Sequence, residues 1–133
     1  MPALPLPSPA RRAAGAAALL LVLSGCSSDA LDVDGFSPGA CTDIAPTLQE
    51  VDEALRQVGD EDIEPRAAAD RFRDAQGALK PVVESDDDAA EPVQELITRL
   101  GFFRIAVDTN NYSGDQDADV RTALDDLAET CRT

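Results

Sequence analysis

Carboxylates and thiols are the side chains that could do chemistry in this 133-residue chain, because it contains no histidine and no tryptophan. Without histidine, a Cys–His catalytic pair cannot form and the Cys/His spacing of a zinc site is absent. What remains is a pair of carboxylates, a serine assisted by the one lysine, Lys80, or binding assisted by arginine. Carboxylate pairs are defined by their separation in space. The sequence therefore assigns no catalytic residue, and we expect no enzymatic activity.

The carboxylates form three clusters, each at the start of a predicted helix: Asp60-Glu61-Asp62 with Glu64, then Asp86-Asp87-Asp88, then Asp115, Asp117 and Asp119. We expect them to cap exposed backbone N–H groups and to oppose the helix dipole, for about 0.3–1 kcal/mol each. The alternative is a divalent cation, because Ca²⁺ and Mg²⁺ prefer oxygen ligands. The weak candidate ligands are Asp62, Glu64, Asp115 and Asp117. No resident metal or other cofactor is predicted.

The N-terminus combines a basic pair, an apolar run and a cysteine. Arg11 and Arg12 precede the run from Ala13 to Leu23, which ends in Leu23-Ser24-Gly25-Cys26. This arrangement resembles a bacterial lipoprotein signal peptide. The resemblance implies that a lipid is attached to the sulfur of Cys26 and that cleavage between Gly25 and Cys26 removes residues 1–25. The run is shorter than the roughly 20 apolar residues of a membrane-spanning helix, so the predicted membrane attachment is the covalent lipid.

The mature chain implied by this signal is strongly acidic. Residues 1–25 hold two arginines and no acidic residue, so their removal leaves 108 residues and takes the formal charge from −15 to about −17. Binding to a phosphate backbone depends on clustered Lys and Arg, and we therefore expect no nucleic-acid partner. An anionic membrane surface would also repel the chain, so attachment depends on acyl chains. The charge slightly favours a monomer, although the oligomeric state stays open.

Two cysteines remain once Cys26 is assigned to the lipid. The extracytoplasmic compartment that the resemblance implies permits disulfides, so we expect Cys41 and Cys131 to bond to each other. In the chain-entropy model, closing a loop of about 90 residues stabilises a fold by roughly 4–5 kcal/mol. The alternatives are a thiol nucleophile or a metal ligand, and each needs a companion side chain such as histidine.

Four amphipathic helices are predicted from apolar residues repeating at steps of three and four. We expect the first to begin near Asp43–Ala45, because Pro46 is tolerated only in a first turn, and to end at Gly59. The second opens around Asp62–Pro65 and ends near Lys80, before Pro81. The third follows Asp88 and ends near Asp108, and the fourth runs from about Asp117 to Arg132. No alternating β-branched run is present, so a sheet is not expected.

The apolar stripes of these helices form the candidate core. Their members are Cys41, Ile44, Leu48, Val51, Leu55, Val58, then Ala68, Phe72, Ala75, Leu79, then Val93, Leu96, Ile97, Leu100, Phe103, Val107, then Val120, Leu124, Leu127, Cys131. Four helices with short connections favour an up-down-up-down bundle. That order places Cys41 and Cys131 at one end, in agreement with a disulfide between them. Phe102 lies off the third stripe and needs a neighbour to cover it.

Three regions follow from these patterns: residues 1–25 as a removed signal peptide, 26–40 as a lipidated cysteine with a flexible tether, and 41–133 as the helical domain. The tether is predicted because residues 27–40 are mostly Ser, Asp, Gly and Pro without a sustained period. The alternative is that Leu31, Val33 and Phe36 pack onto the domain.

The predicted function is a non-enzymatic, lipid-anchored extracytoplasmic protein that presents a helical surface to another component of the cell envelope. One alternative is a carrier of a small ligand or a divalent cation at the membrane surface. The other is a passive acidic spacer. The sequence identifies neither the partner nor the residues that would contact it.

Overall fold

Four helices make up most of the chain after residue 39. The computed structural model describes residues 30–133, and Leu31–Thr133 form one unit. The helices are α1 (Ala40–Gly59), α2 (Pro65–Val83), α3 (Ala90–Asp108) and α4 (Asp115–Arg132), and no strand occurs within the described residues. The all-α prediction is thereby confirmed. The predicted signal peptide and the lipidated Cys26 lie outside the described residues.

Each helix packs against the next, and α4 packs back against α1. The connections between consecutive helices are short, at residues 60–64, 84–89 and 109–114. This ring of contacts is compatible with up-down-up-down order. The contact between α1 and α4 is the least extensive of the four. The disulfide between Cys41 and Cys131 joins this pair, with the Cα atoms 5.6 Å apart and the sulfurs 2.11 Å apart. The predicted disulfide is confirmed.

The predicted stripes form the core. Every stripe residue is buried except Ile97, which is half-buried at the edge of the core. Phe72 of α2 and Phe103 of α3 are fully buried and meet edge-to-face, with ring centroids 4.8 Å apart. Such aromatic pairs add about 0.5–1.5 kcal/mol beyond their area burial. The periodicity therefore identified which face of each helix is buried.

Both proline-based helix boundaries were wrong. α1 begins at Ala40, a turn earlier than predicted, and Pro46 lies inside it; α2 continues through Pro81 to Val83. A proline removes the hydrogen bond to the carbonyl four residues earlier. Here both prolines are exposed, and so are the residues four positions earlier, Thr42 and Gly77. Water can therefore solvate those two carbonyl groups. Burial of Cys41 and Ile44 before Pro46, and of Val82 after Pro81, keeps the helices continuous.

The predicted tether was wrong over the part that the structure describes. Residues 31–39, the N-terminal strap, pack against the bundle: Phe36 is buried, and Leu31 and Val33 are half-buried against the core. The Ser37 N–H donates to the carbonyl oxygen of Cys131 at 2.7 Å. Gly39, with a φ of 102°, then turns the chain into α1. The strap therefore packs on the core although its apolar residues show no helical period. This agrees with the alternative expectation, that Leu31, Val33 and Phe36 pack onto the domain.

Removal of the disulfide should destabilise the domain without changing its fold. We expect the double variant Cys41→Ala/Cys131→Ala to unfold with a free energy lower by about 4 kcal/mol, because the unfolded chain gains the entropy of an open loop. Urea denaturation followed by circular dichroism measures the difference. A reducing agent should lower the stability of the wild-type chain and leave that of the double variant unchanged. Equal stability of the two oxidised proteins would contradict this prediction.

Candidate functional site

Asp52 is the one charged residue that is buried among those described, with 1% of its surface exposed. One carboxylate oxygen accepts a hydrogen bond from Arg121 Nη1 of α4 at 2.6 Å. The other accepts from Arg56 Nε, one turn along α1, and from the backbone N–H of Leu31, both at 3.1 Å. A buried charge is tolerated when it is paired and hydrogen-bonded in this way. The Asp52 carboxylate therefore joins α1, α4 and the strap.

The charge state of Asp52 follows from two opposing effects. Burial raises the pKa of its carboxyl group, but the hydrogen bonds from Arg121, the Leu31 N–H and Arg56, with the charge of Arg121, outweigh burial and lower it below 3.8. An acid whose pKa is lowered in the folded state stabilises that state above its unfolded pKa. This contribution is lost as the pH falls through the lowered value. Asp52 is therefore a structural carboxylate that stays ionised, and it does not resemble a general acid.

The strap is held at its other end by the C-terminus of α4. The Ser37 hydroxyl donates to the carbonyl oxygen of Cys131 at 3.0 Å, beside the bond from the Ser37 N–H. The Arg132 guanidinium donates to the carbonyl oxygen of Asp32 and stacks on the Phe36 ring, 5.6 Å from its centroid. A cation over an aromatic face adds a further attraction. The chain is thus tied down from Leu31 onward.

Tyr112 and Asp117 form a second polar centre. Tyr112 lies in the connection before α4, and Asp117 lies in the first turn of α4. The Tyr112 hydroxyl donates to the Asp117 carboxylate, 2.9 and 2.8 Å from its two oxygens, and the ring packs edge-on against Phe103, with centroids 5.3 Å apart. Burial raises the pKa of Tyr112 to about 12, with the bond to Asp117 and its charge adding to the effect. Burial also raises the pKa of Asp117, and the Tyr112 hydrogen bond only partly opposes it.

The weak cation candidates lie around this centre. Asp62 and Glu64 line an open groove together with Tyr112, which in turn contacts Asp117; Asp115 is exposed. The starts of α2 and α4 therefore lie near each other, as the bundle model expected. Within the described residues, however, no group of three or more His, Cys, Asp or Glu side chains is placed to hold a metal ion. The carboxylate of Asp117 is instead bonded to a phenol.

The expectation that the acidic clusters cap the helices holds at one position, where the Asp87 carboxylate accepts a hydrogen bond from the backbone N–H of Ala89, just before α3, at 2.8 Å. None of the N-cap residues, which are Gly39, Glu64, Ala89 and Gly114, forms a capping hydrogen bond through its own side chain. Gly114 takes a φ of 91°, and a residue with a side chain is disfavoured there. The dipole part of the expectation holds for Asp115 and Asp117, which are in the first turn of α4. Most cluster residues are exposed carboxylates in the connections.

The outer face of α3 exposes two large apolar side chains. Phe102 is 52% exposed and Ile105 is 58% exposed. Within the described residues every other large apolar side chain is buried or half-buried. They point away from the core face of the same helix, where Leu100 and Phe103 are fully buried. The neighbour that Phe102 was expected to need is therefore not supplied by the described part of the chain.

A shallow groove between α3 and α4 adjoins this face. Asp88, Glu91, Glu95 and Asp126 line it, with Pro92 and Ala123 among its apolar residues. Of the four carboxylates only Glu95 has an arginine partner within residues 30–133, through a bond to Arg99 Nε at 2.8 Å. The groove therefore carries a net negative charge that no side chain of this region neutralises.

Replacement of Asp52 should expose its structural role. We expect Asp52→Asn to lower the free energy of unfolding by roughly 2 kcal/mol at pH 7, because charged hydrogen bonds to two arginines are lost. The deficit relative to wild type should shrink as the pH falls below 3.8, where the wild-type chain loses the contribution of the ionised carboxylate. Urea titrations between pH 2.5 and pH 7 would test this; Glu50→Gln, an exposed site on the same helix, is the control. A deficit that grows at low pH would contradict it.

The phenol of Tyr112 offers a direct optical test, because it is the only tyrosine and the chain has no tryptophan. We expect its absorbance change on ionisation to have a midpoint near pH 12. Asp117→Asn should move the midpoint toward the ordinary value near 10, since the negative neighbour is removed. Asp119→Asn, at an exposed position, should leave it unchanged. Circular dichroism at each pH would show that the protein is still folded; a wild-type midpoint near 10 in the folded protein would contradict the assignment.

Within residues 30–133, none of the helices is both long enough and apolar enough to cross a membrane. No protein-family model matches the chain, and no curated protein or solved structure does either. Function must therefore be argued from the residues themselves.

Proposed function

We propose that this protein is a lipid-anchored extracytoplasmic module that presents its helical bundle to another component of the cell envelope and catalyses no reaction. The observation that carries the proposal is the N-terminal pattern of Arg11 and Arg12, an apolar run and Leu23-Ser24-Gly25-Cys26. After processing, Cys26 would be the first residue and would bear the lipid. The confirmed disulfide supports this location, because disulfides persist mainly in oxidising compartments.

The strap supports a short link between the lipid and the bundle. The Leu31 N–H is bonded to Asp52, so only the chain from Cys26 to Leu31 would separate the acylated sulfur from the packed body. Five residues reach about 17 Å when fully extended. The bundle would therefore be held close to the bilayer, where partners in the same membrane or its vicinity are concentrated around it.

The interior supports a preformed surface. No buried side-chain nitrogen or oxygen atom of the described residues lacks a hydrogen-bond partner, and the disulfide ties the least extensive helix contact. A module of this kind binds without ordering its backbone first, which reduces the entropic cost of association. An interaction module benefits from this property.

Metabolic labelling with a palmitate analogue tests the anchor. We expect the full chain, produced in a bacterial host, to incorporate the label and to yield an N-terminal peptide that begins at acylated Cys26. Cys26→Ala should abolish labelling, because no thiol is then present at the acceptor position. Ser28→Ala, two residues away, is the matched control and should be labelled normally. An intact leader, or a free thiol at Cys26 in the membrane-extracted protein, would refute the proposal.

A further inference from the structure

The outer face of α3 is a continuous surface with two different halves. Toward its C-terminal end lie Phe102 and Ile105, three residues apart and more than half exposed. Toward its N-terminal end lie Glu91 and Glu95, which also line the groove beside α4. The positions 91, 95, 98, 102 and 105 follow steps of three and four, so they share one side of the helix.

The charge of the molecule decides what fits this surface. The chain has 26 acidic and 11 basic side chains, and Asp88, Glu91 and Asp126 of the groove have no ion-pair partner among the described residues. A second copy of the chain, or an anionic lipid surface, would bring like charges together, which opposes association. A basic partner gains from the same field. An amphipathic helix with basic residues on its polar side can present apolar side chains to Phe102 and Ile105 and cations to the groove at the same time.

We propose that the outer face of α3, with the acidic groove against α4, is the docking surface for a basic amphipathic helix of another protein. Apolar side chains of that helix cover Phe102 and Ile105, and its Lys and Arg side chains pair with Glu91 and Asp126. The inference deepens the proposed function, on which it rests for the location of the partner, by naming the surface and the chemistry that it recognises.

The position of the strap agrees with this assignment. Asp52 of α1 and Arg121 of α4 hold the Leu31 end of the strap, so the strap lies on the α1–α4 side of the ring of helices. α3 packs against α2 and α4, and its outer face points away from the core. No residue of the strap lines the groove.

A labelled model peptide tests the surface directly. The probe is an 18-residue helix of leucine and lysine with all leucines on one face, and a scrambled peptide of the same composition is its control. We expect the amphipathic peptide to bind the purified full chain saturably in fluorescence anisotropy, whether or not the chain is acylated. Phe102→Gln/Ile105→Gln should weaken binding by about ten-fold, and Glu91→Gln/Asp126→Asn by a similar factor. Glu50→Gln/Asp74→Asn removes the same charge at other exposed helical sites and should leave the affinity unchanged.

Several outcomes would overturn the proposal. Equal binding of the scrambled peptide, or equal losses in the α3 and control variants, would show attraction by net charge alone. Dimers in sedimentation that dissociate in Phe102→Gln/Ile105→Gln would assign the face to a second copy. Binding to anionic vesicles that depends on Phe102 would assign it to lipid. Thermal melts of every variant show whether it is folded. Because these measurements do not need acylation, their failure is separate from a failure of palmitate labelling.

Discussion

The carboxylate of Asp52 holds together three parts of the molecule: α1, α4 and the N-terminal strap. It is buried, and it receives hydrogen bonds from α1, from α4 and from the first residue of the strap. Burying that charge would be costly if any donor were missing, since an unpaired ion in the interior destabilises a fold strongly. The arrangement thereby favours one position of the strap and one register of α4 against α1. The disulfide links the start of α1 to the end of α4 and so limits how far these two helix ends can separate.

The helices and their buried faces could be predicted because the buried apolar residues of each helix repeat at steps of three and four along the sequence. The cysteine pair could be predicted because each sulfur continues the stripe of its own helix. The proline rule failed at Pro46 and Pro81, since it treats a lost hydrogen bond as decisive. Here both prolines face solvent, and packing on either side outweighs the loss. Local rules place a helix boundary poorly whenever distant contacts contribute more free energy.

The polar centres were harder to find. Asp52 lies seven residues after Ala45 and four after Leu48, on the buried side of α1, so a charge within an apolar stripe was the available signal. Its partner Arg121 is 69 residues away, and no local pattern connects the two. The acidic clusters misled in the opposite direction, because among the clustered carboxylates of the described residues Asp87 alone accepts a hydrogen bond from a backbone N–H. For Phe102, the sequence indicated only that its side chain lies off the apolar stripe and needs a neighbour to cover it. The groove that brings Glu91 of α3 close to Asp126 of α4 depends on how the two helices meet, which no local pattern shows.

The crossing of the strap over the two sulfur-bearing helix ends has a mechanical consequence. If the N-terminus is fixed to a bilayer and a partner pulls on the bundle, tension enters through the strap and passes to the C-terminus of α4, where Ser37 grips the Cys131 carbonyl. From there a covalent bond carries the load to the start of α1. A pull on the strap would therefore load the cross-linked pair of α1 and α4 before the load reaches α2 and α3.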